Sequence, residues 1–246
     1  MVTESNGKKI AVITGANKGI GFEVARQLGR HGMVVMIGAR DPQRGAEAAT
    51  KLRGEGIDAR PMRLDVTDAQ TISAAVCEVG REFGRLYALV NNAGVALDRG
   101  MRPSEVPADV LRQTYETNVF GPIAVIQAFV PLLKRSAAGR IVNVSSELGS
   151  LAQNSNPDFE FRHIKLLAYN SSKTALNAVT VQFAHELQDT PIKVNAADPS
   201  YTATDFNNYS GTQTVEQGAR AVVRLVTLGS DGPTGGYFNA FGPLPW

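Results

Sequence analysis

Cysteine is almost missing from this chain of 246 residues: Cys77 stands alone, so no intramolecular disulfide can form and a reducing compartment is the simpler setting. Charge of one sign is scarce as well. Lys and Arg number 25 against 23 Asp and Glu, a formal net charge of +2 with no long block of like charge, which argues against a nucleic-acid partner. No window reaches the roughly 18 apolar residues of a membrane span. The polar run from Met1 to Lys9 is followed by an apolar stretch too short for a signal core. A cytoplasmic protein with no membrane contact is the expectation. No Pro/Gly/Ser-rich linker and no internal repeat divides the chain, so a second domain has no place to begin. Cys77 lies in an apolar-periodic stretch with Ile72, Val76 and Val79 and reads as a core or near-core residue.

What is present is an ordinary globular composition, 43% hydrophobic and 20% charged. One domain, residues 1–246, is expected, with a cofactor-binding part over about 1–140 and a catalytic and substrate-binding part over about 140–246. Short β-branched runs recur at Ile10 to Thr14, Met33 to Ala39, Ala59 to Leu64, Tyr87 to Asn91, Arg140 to Ser145, Ile192 to Ala197 and Tyr237 to Ala240. Most are apolar on both faces, as parallel strands covered on both sides must be. Between them lie helical periodicities such as Gly21 to His31 and Thr67 to Phe83. The alternation predicts an α/β fold: a Rossmann-type doubly wound, mostly parallel seven-stranded sheet with helices on both faces. Leu97 to Ala108 and Glu147 to Lys165 lack periodicity, and irregular segments after strand ends build ligand sites in such sheets.

The first strand runs into Thr14-Gly15-Ala16-Asn17-Lys18-Gly19-Ile20-Gly21, and helical periodicity starts at once. Glycines let the backbone approach a pyrophosphate, whose charge the free amides and the helix dipole stabilise. A dinucleotide is the natural ligand of this loop. Its spacing is T-G-x-x-x-G-x-G, and here the chain resembles the short-chain dehydrogenase/reductase family. The resemblance continues through Leu64-Asp65-Val66, Asn91-Asn92-Ala93-Gly94, Asn118, Val144-Ser145-Ser146, Tyr169-x-x-x-Lys173 and Pro199, in the family's order.

An NAD-binding protein would place a carboxylate after the second strand. Arg40 stands there instead, with Lys18 and Arg44 able to add charge around a 2′-phosphate, so NADP(H) is the expected cofactor. Asp41, before Pro42, is the counter-argument: it reads as a helix N-cap, with a salt bridge to Arg40 also open, and ribose binding is the competing role. The resemblance implies that Asp65 accepts a hydrogen bond from the adenine and that Val66 uses its backbone. Asn91, Ala93 and Gly94 would border the adenosine and ribose.

Carbonyl reduction needs a proton for the developing alkoxide. Tyr169 and Lys173 lie one helical turn apart on one face of a predicted helix, Ala168 to Leu187. An ammonium there, with the positive nicotinamide ring, favours tyrosinate and is expected to lower the tyrosine pKa from about 10 toward 7. The resemblance assigns Tyr169 as acid/base, Lys173 as its modulator and a ribose ligand, Ser146 as donor to the substrate oxygen, and Asn118 as holder of a proton-relaying water. Ser146 is chosen over Ser145 because the family's serine is the second of the pair. Ser200 stands where the family has glycine after Pro199; it either narrows the nicotinamide pocket or is harmless. Thr202 and Thr204 are placed near the nicotinamide carboxamide or phosphates.

The excess length at Asn154 to Lys165, the Asn17-Lys18 pair and the ending Gly242 to Trp246 resemble the carbonyl-reductase-like branch, where the inserted segment shapes the substrate mouth. Leu97, Leu148, Leu151, Phe159, Phe161, Tyr201, Phe206 and Tyr209 would line that mouth and suit apolar or aromatic aldehydes and ketones. His31, His163 and His185 are too scattered for a metal site and read as structural, and Glu147 reads as a solvated loop carboxylate. The expected function is therefore reversible NADPH-dependent reduction of a carbonyl to an alcohol. The rival is an NADP(H)-binding sensor or scaffold without turnover, which would have little reason to keep Asn118, Ser146, Tyr169 and Lys173 together. Helices around Val110 to Leu133 and Ala168 to Leu187 could pair between subunits, so monomer and homo-oligomer both stay open.

Overall fold

Residues 7–246 are described by a computed structural model; part of the polar N-terminal run lies outside them. Seven strands, β1 (Ile10–Thr14), β2 (Val34–Ala39), β3 (Ala59–Arg63), β4 (Ala88–Asn91), β5 (Arg140–Val144), β6 (Lys193–Ala197) and β7 (Tyr237–Phe238), form one sheet in the order β3-β2-β1-β4-β5-β6-β7. Every pairing between them is parallel. The chain leaves β1 toward β2 on one side and β4 lies on the other, so the loops after β1 and β4 diverge and open a crevice at the strand carboxyl ends.

Alternation along each strand divides the core in two. Ala11 and Ile13 of β1 pack with Val24, Ala25 and Leu28 of α1 (Gly19–Arg30), with α2 (Pro42–Gly54) and with α8 (Val215–Val226). Ile10 and Val12 face the other way, against α3 (Ala69–Phe83), α5 (Gly121–Leu133) and part of α7 (Leu167–Glu186). Both faces of the central strands are therefore dry, which is why their sequences read as unbroken apolar runs.

Differences from the sequence reading lie at element ends, where side chains cap. The third helix begins at Ala69 and not Thr67, because the Asp68 carboxylate accepts the Gln70 and Thr71 amides at 2.9 and 3.4 Å. Strand β7 stops at Phe238 because Asn239 Oδ1 turns the chain by accepting the Phe241 and Gly242 amides. Asp41 is the N-cap of α2, as expected, accepting from Gln43 and Arg44. The run expected as one helix near Val110 to Leu133 is α4 (Ala108–Tyr115) and α5 joined by a π-turn over Glu116–Phe120. By length and mean hydropathy, 1.3, this run matches a membrane span, which the sequence reading had not found; half of that window is buried against the protein.

Cys77 is exposed, not core. Ile72, Ala75 and Val79 point α3 at the sheet, and two residues beyond Ala75 the helix has turned by about 200°. Native protein should therefore react with one equivalent of a thiol reagent without unfolding. A thiol that reacts only in denaturant would contradict the helix orientation.

Candidate active site

The glycine turn is held by the loop after β4. Thr14 Oγ1 accepts the Asn92 and Ala93 amides, both at 3.0 Å, and Asn92 Nδ2 donates to the carbonyls of Thr14 at 2.9 Å and Gly15 at 3.2 Å. Gly15 and Gly19 take φ of 62° and 57°, a left-handed backbone that the turn requires. Gly21 has a different reason: a Cβ there would lie 2.4 Å from Asn92 Nδ2. At the N-cap of α1, Lys18 makes no side-chain bond to the helix, so the first-turn amides are not consumed by a cap.

A cavity of about 650 Å³ runs along the sheet's carboxyl edge from Arg40, Asp65 and Val66, past Gly15, Asn17, Lys18, Gly19 and Ile20, to Ser146, Tyr169 and Lys173. Ala93, Gly94, Pro199, Thr202 and Thr204 line it as well. A cradle of unspent helix amides with a basic residue at its far end fits a phosphorylated dinucleotide. Three expected contacts do not line the cavity. Gly21 is spent on Asn92; Arg44 points to Asp41 at 3.4 Å; Asn91 is buried inside the sheet, its amide donating to Asn143 Oδ1 at 2.8 Å. Asn92 lines the cavity in its place, because side chains alternate along the strand. Lys18 forms an ion pair with Asp205 across the crevice, and Asp65 Oδ1 accepts from the Thr67 amide at 3.0 Å and hydroxyl at 2.8 Å.

The two serines face different surroundings. Ser145 is buried and its hydroxyl donates to Asn177 Oδ1 at 2.6 Å, whereas Ser146 lines the cavity together with Tyr169. Lys173 is buried, donates to the Val144 carbonyl at 2.8 Å, and stands 5.6 Å from the centre of the Tyr169 ring. Asn118 sits in the π-turn, fully buried, with Oδ1 accepting from the Val95 amide and Nδ2 donating to the Val95 carbonyl and to Ser172 Oγ. Burial pushes the Tyr169 hydroxyl up to about 12, with Ser146 and Arg99 opposing and Asp198 adding to the rise. Burial likewise pulls Lys173 down to about 8 against the opposing pull of Asp198. The depression of Tyr169 expected from Lys173 thus does not arise from the protein's own groups; desolvation outweighs them.

At the mouth, Leu148, Phe161, Tyr201 and Phe206 line the cavity. The Phe206 ring lies 5.6 Å from that of Tyr169, and Phe161 lies 5.6 Å from Tyr201. Leu97, Leu151, Phe159 and Tyr209 do not line it: Phe159 packs behind Phe161, and the others are exposed elsewhere. His163, read as structural, is on the lining, as is Arg99, whose guanidinium stacks over Phe206.

Asp98 belongs to no motif visible in the sequence. It is fully buried and its Oδ2 accepts the Ala168 amide at 2.7 Å, so a loop after β4 caps the helix that carries Tyr169 and Lys173. No local signal reveals a cap donated from 70 residues away. Asp98→Ala should cost about 1–2 kcal/mol of stability, read as a lower urea midpoint. An unchanged midpoint would show that the cap carries no weight.

The family model described as short chain dehydrogenase matches residues 9–214. The (+)-neomenthol dehydrogenase of Arabidopsis thaliana is 34% identical over 94% of this chain and 96% of its own length. Among solved structures, salutaridine reductase from Papaver somniferum superposes with a TM-score of 0.82 at 29% identity, covering 94% of this chain and 99% of that one. NADPH-bound carbonyl reductase from chicken fatty liver gives 0.85 at 28% identity, over 97% and 99%. With motif order, sheet order and crevice all in agreement with these matches, the chain belongs to the short-chain dehydrogenase/reductase family of oxidoreductases.

Proposed function

We propose that this protein is an NADPH-dependent carbonyl reductase that converts a ketone or aldehyde reversibly to its alcohol. The observation that carries the reading is the convergence of Ser146, Tyr169 and Lys173 on one end of a crevice whose other end holds Arg40 and whose middle is the glycine cradle. The reduced nicotinamide, when bound, supplies a hydride to the carbonyl carbon. Ser146 hydrogen-bonds the substrate oxygen, and the Tyr169 hydroxyl delivers a proton to that oxygen as negative charge develops on it. Because burial holds Tyr169 protonated over the neutral range, the phenol is the form ready for reduction. Lys173 restores the tyrosine proton. The Asn118 side chain is spent on Val95 and Ser172, so it braces the loop after β4 against α7.

Arg40 is the cation proposed to take the 2′-phosphate, since Arg44 is committed to Asp41 and Lys18 to Asp205. The aromatic mouth of Phe161, Tyr201 and Phe206 suits flat or apolar carbonyl compounds. A cytosolic setting, in which Cys77 stays a thiol, goes with this reading.

NADPH and NADH oxidation against aromatic aldehydes, quinones, α-dicarbonyls and cyclic ketones, with NADPH affinity measured in parallel, tests it. Turnover preferring NADPH is expected. Tight NADPH binding without turnover across the panel would replace it with the sensor or scaffold reading.

A further inference from the structure

Beside the proton-transfer couple the structure places a buried carboxylate that the mechanism above does not use. Asp198 follows β6, is 2% exposed, and lines the cavity. Three donors converge on it: the Glu147 amide on Oδ1 at 3.1 Å, and the Ser200 amide and hydroxyl on Oδ2 at 3.0 and 3.2 Å. Ser200 reaches that position only by adopting φ of 56°, a region that residues with a Cβ rarely enter. Glycine would take the same backbone freely, but it has no hydroxyl to donate. The departure from the family's glycine therefore has a chemical consequence: it adds a hydrogen bond to a buried carboxylate.

Charged and titratable groups face Asp198 from every side. The Glu147 carboxyl, half-buried, lies against it from the turn after β5. Tyr169 and Lys173 face it from α7, and Tyr237, whose buried hydroxyl has no partner among the described residues, from β7. Arg99, in the loop after β4, acts on Tyr169 with the opposite sign.

We propose that Asp198, clamped by Ser200 and paired with Glu147, is a positioning residue whose negative charge holds Lys173 as an ammonium and Tyr169 as a phenol, and so carries turnover to higher pH. The inference rests on the proton-transfer role proposed above for Tyr169 and Lys173. Its sign follows from electrostatics: a carboxylate stabilises a neighbouring cation and destabilises a neighbouring anion, so protons on both partners are retained to higher pH. The range is apt. Burial, and then Glu147, raise Asp198 to about 7, so its charge is present above neutrality. Lys173 stands at about 8 with the pull of Asp198 already opposing burial, so without that charge it would lose its proton at lower pH.

The test compares wild type, Asp198→Asn and Ser200→Gly. The basic limb of the pH profile of kcat for carbonyl reduction should fall by about one pH unit in Asp198→Asn. Ser200→Gly, which removes one donor from the carboxylate and frees the backbone, should move it the same way by less, and it keeps the test open if Asp198→Asn fails to fold. A readout without turnover comes from the NMR titration of the Lys173 side-chain carbon next to nitrogen, assigned by its loss in Lys173→Met. Its midpoint should drop in both variants, in the same order. An unmoved Lys173 midpoint, or a lowered midpoint with an unmoved kinetic limb, overturns the proposal. A lowered midpoint in a protein that reduces no carbonyl supports the charge coupling and overturns the reductase reading instead.

Discussion

Tyr169→Phe will lower kcat for carbonyl reduction by about 10²- to 10⁴-fold while leaving NADPH affinity within a factor of about two, the range expected for loss of one general acid. The substitution deletes an oxygen and keeps the ring, so contact with Phe206 at 5.6 Å between ring centres survives and the mouth of the cavity keeps its shape. Lys173 keeps its hydrogen bond to the Val144 carbonyl, because that bond does not pass through the tyrosine. Ser146 keeps its place on the turn, where its hydroxyl also accepts the Leu148 amide at 3.3 Å. What disappears is the proton that must reach the substrate oxygen as the hydride arrives. Steady-state kinetics and a fluorescence titration with NADPH check this, and a variant with wild-type kcat would remove Tyr169 from the proton-transfer step.

Arg40→Asp will turn the cofactor preference toward NADH. A charge-assisted hydrogen bond contributes about 1.5–3 kcal/mol, and about 1.4 kcal/mol is a factor of ten, so the NADPH to NADH ratio of kcat/KM should fall by about 10- to 100-fold. Arg40 stands on the cavity wall after β2, exposed, whereas the cations that could substitute for it are engaged: Arg44 with Asp41, Lys18 with Asp205. The new carboxylate adds repulsion of a 2′-phosphate to the lost attraction and offers an acceptor to ribose hydroxyls. Raised salt should narrow the difference between wild type and variant, as screening of an exposed charge requires. A ratio that does not move would assign phosphate recognition to Lys18 or to backbone amides.

Much of the molecule was legible before its folding was known, for local reasons. Strands apolar on both faces, such as Ile10–Thr14 and Arg140–Val144, announce a parallel sheet because only burial on both sides makes such runs stable. The glycine loop is readable because φ near 60° at Gly15 and Gly19 leaves almost no other residue type. Tyr169 and Lys173 are readable because one helical turn brings them to one face. Asp41 reads as a cap because a cap acts on the amides next to it in the chain.

Contacts made across the chain decided the rest. Asn91 and Asn92 are neighbours with opposite fates, one bracing β5 and the other holding the glycine turn, and only the pleat of β4 within the sheet distinguishes them. Cys77 belongs to a periodic stretch, but the side of α3 that meets the sheet was set by packing and left it outside. Asp98 caps a helix distant in sequence, and Asp198 gathers Glu147, Ser200, Tyr169 and Lys173 from separate elements. Sequence by itself determined what each segment favours, since propensity, turn chemistry and periodicity act within a few residues. Which charges are desolvated together, and hence that Tyr169 is pushed up and Lys173 down, was decided only by the tertiary structure, because desolvation depends on everything packed around a group and not on its neighbours in the chain.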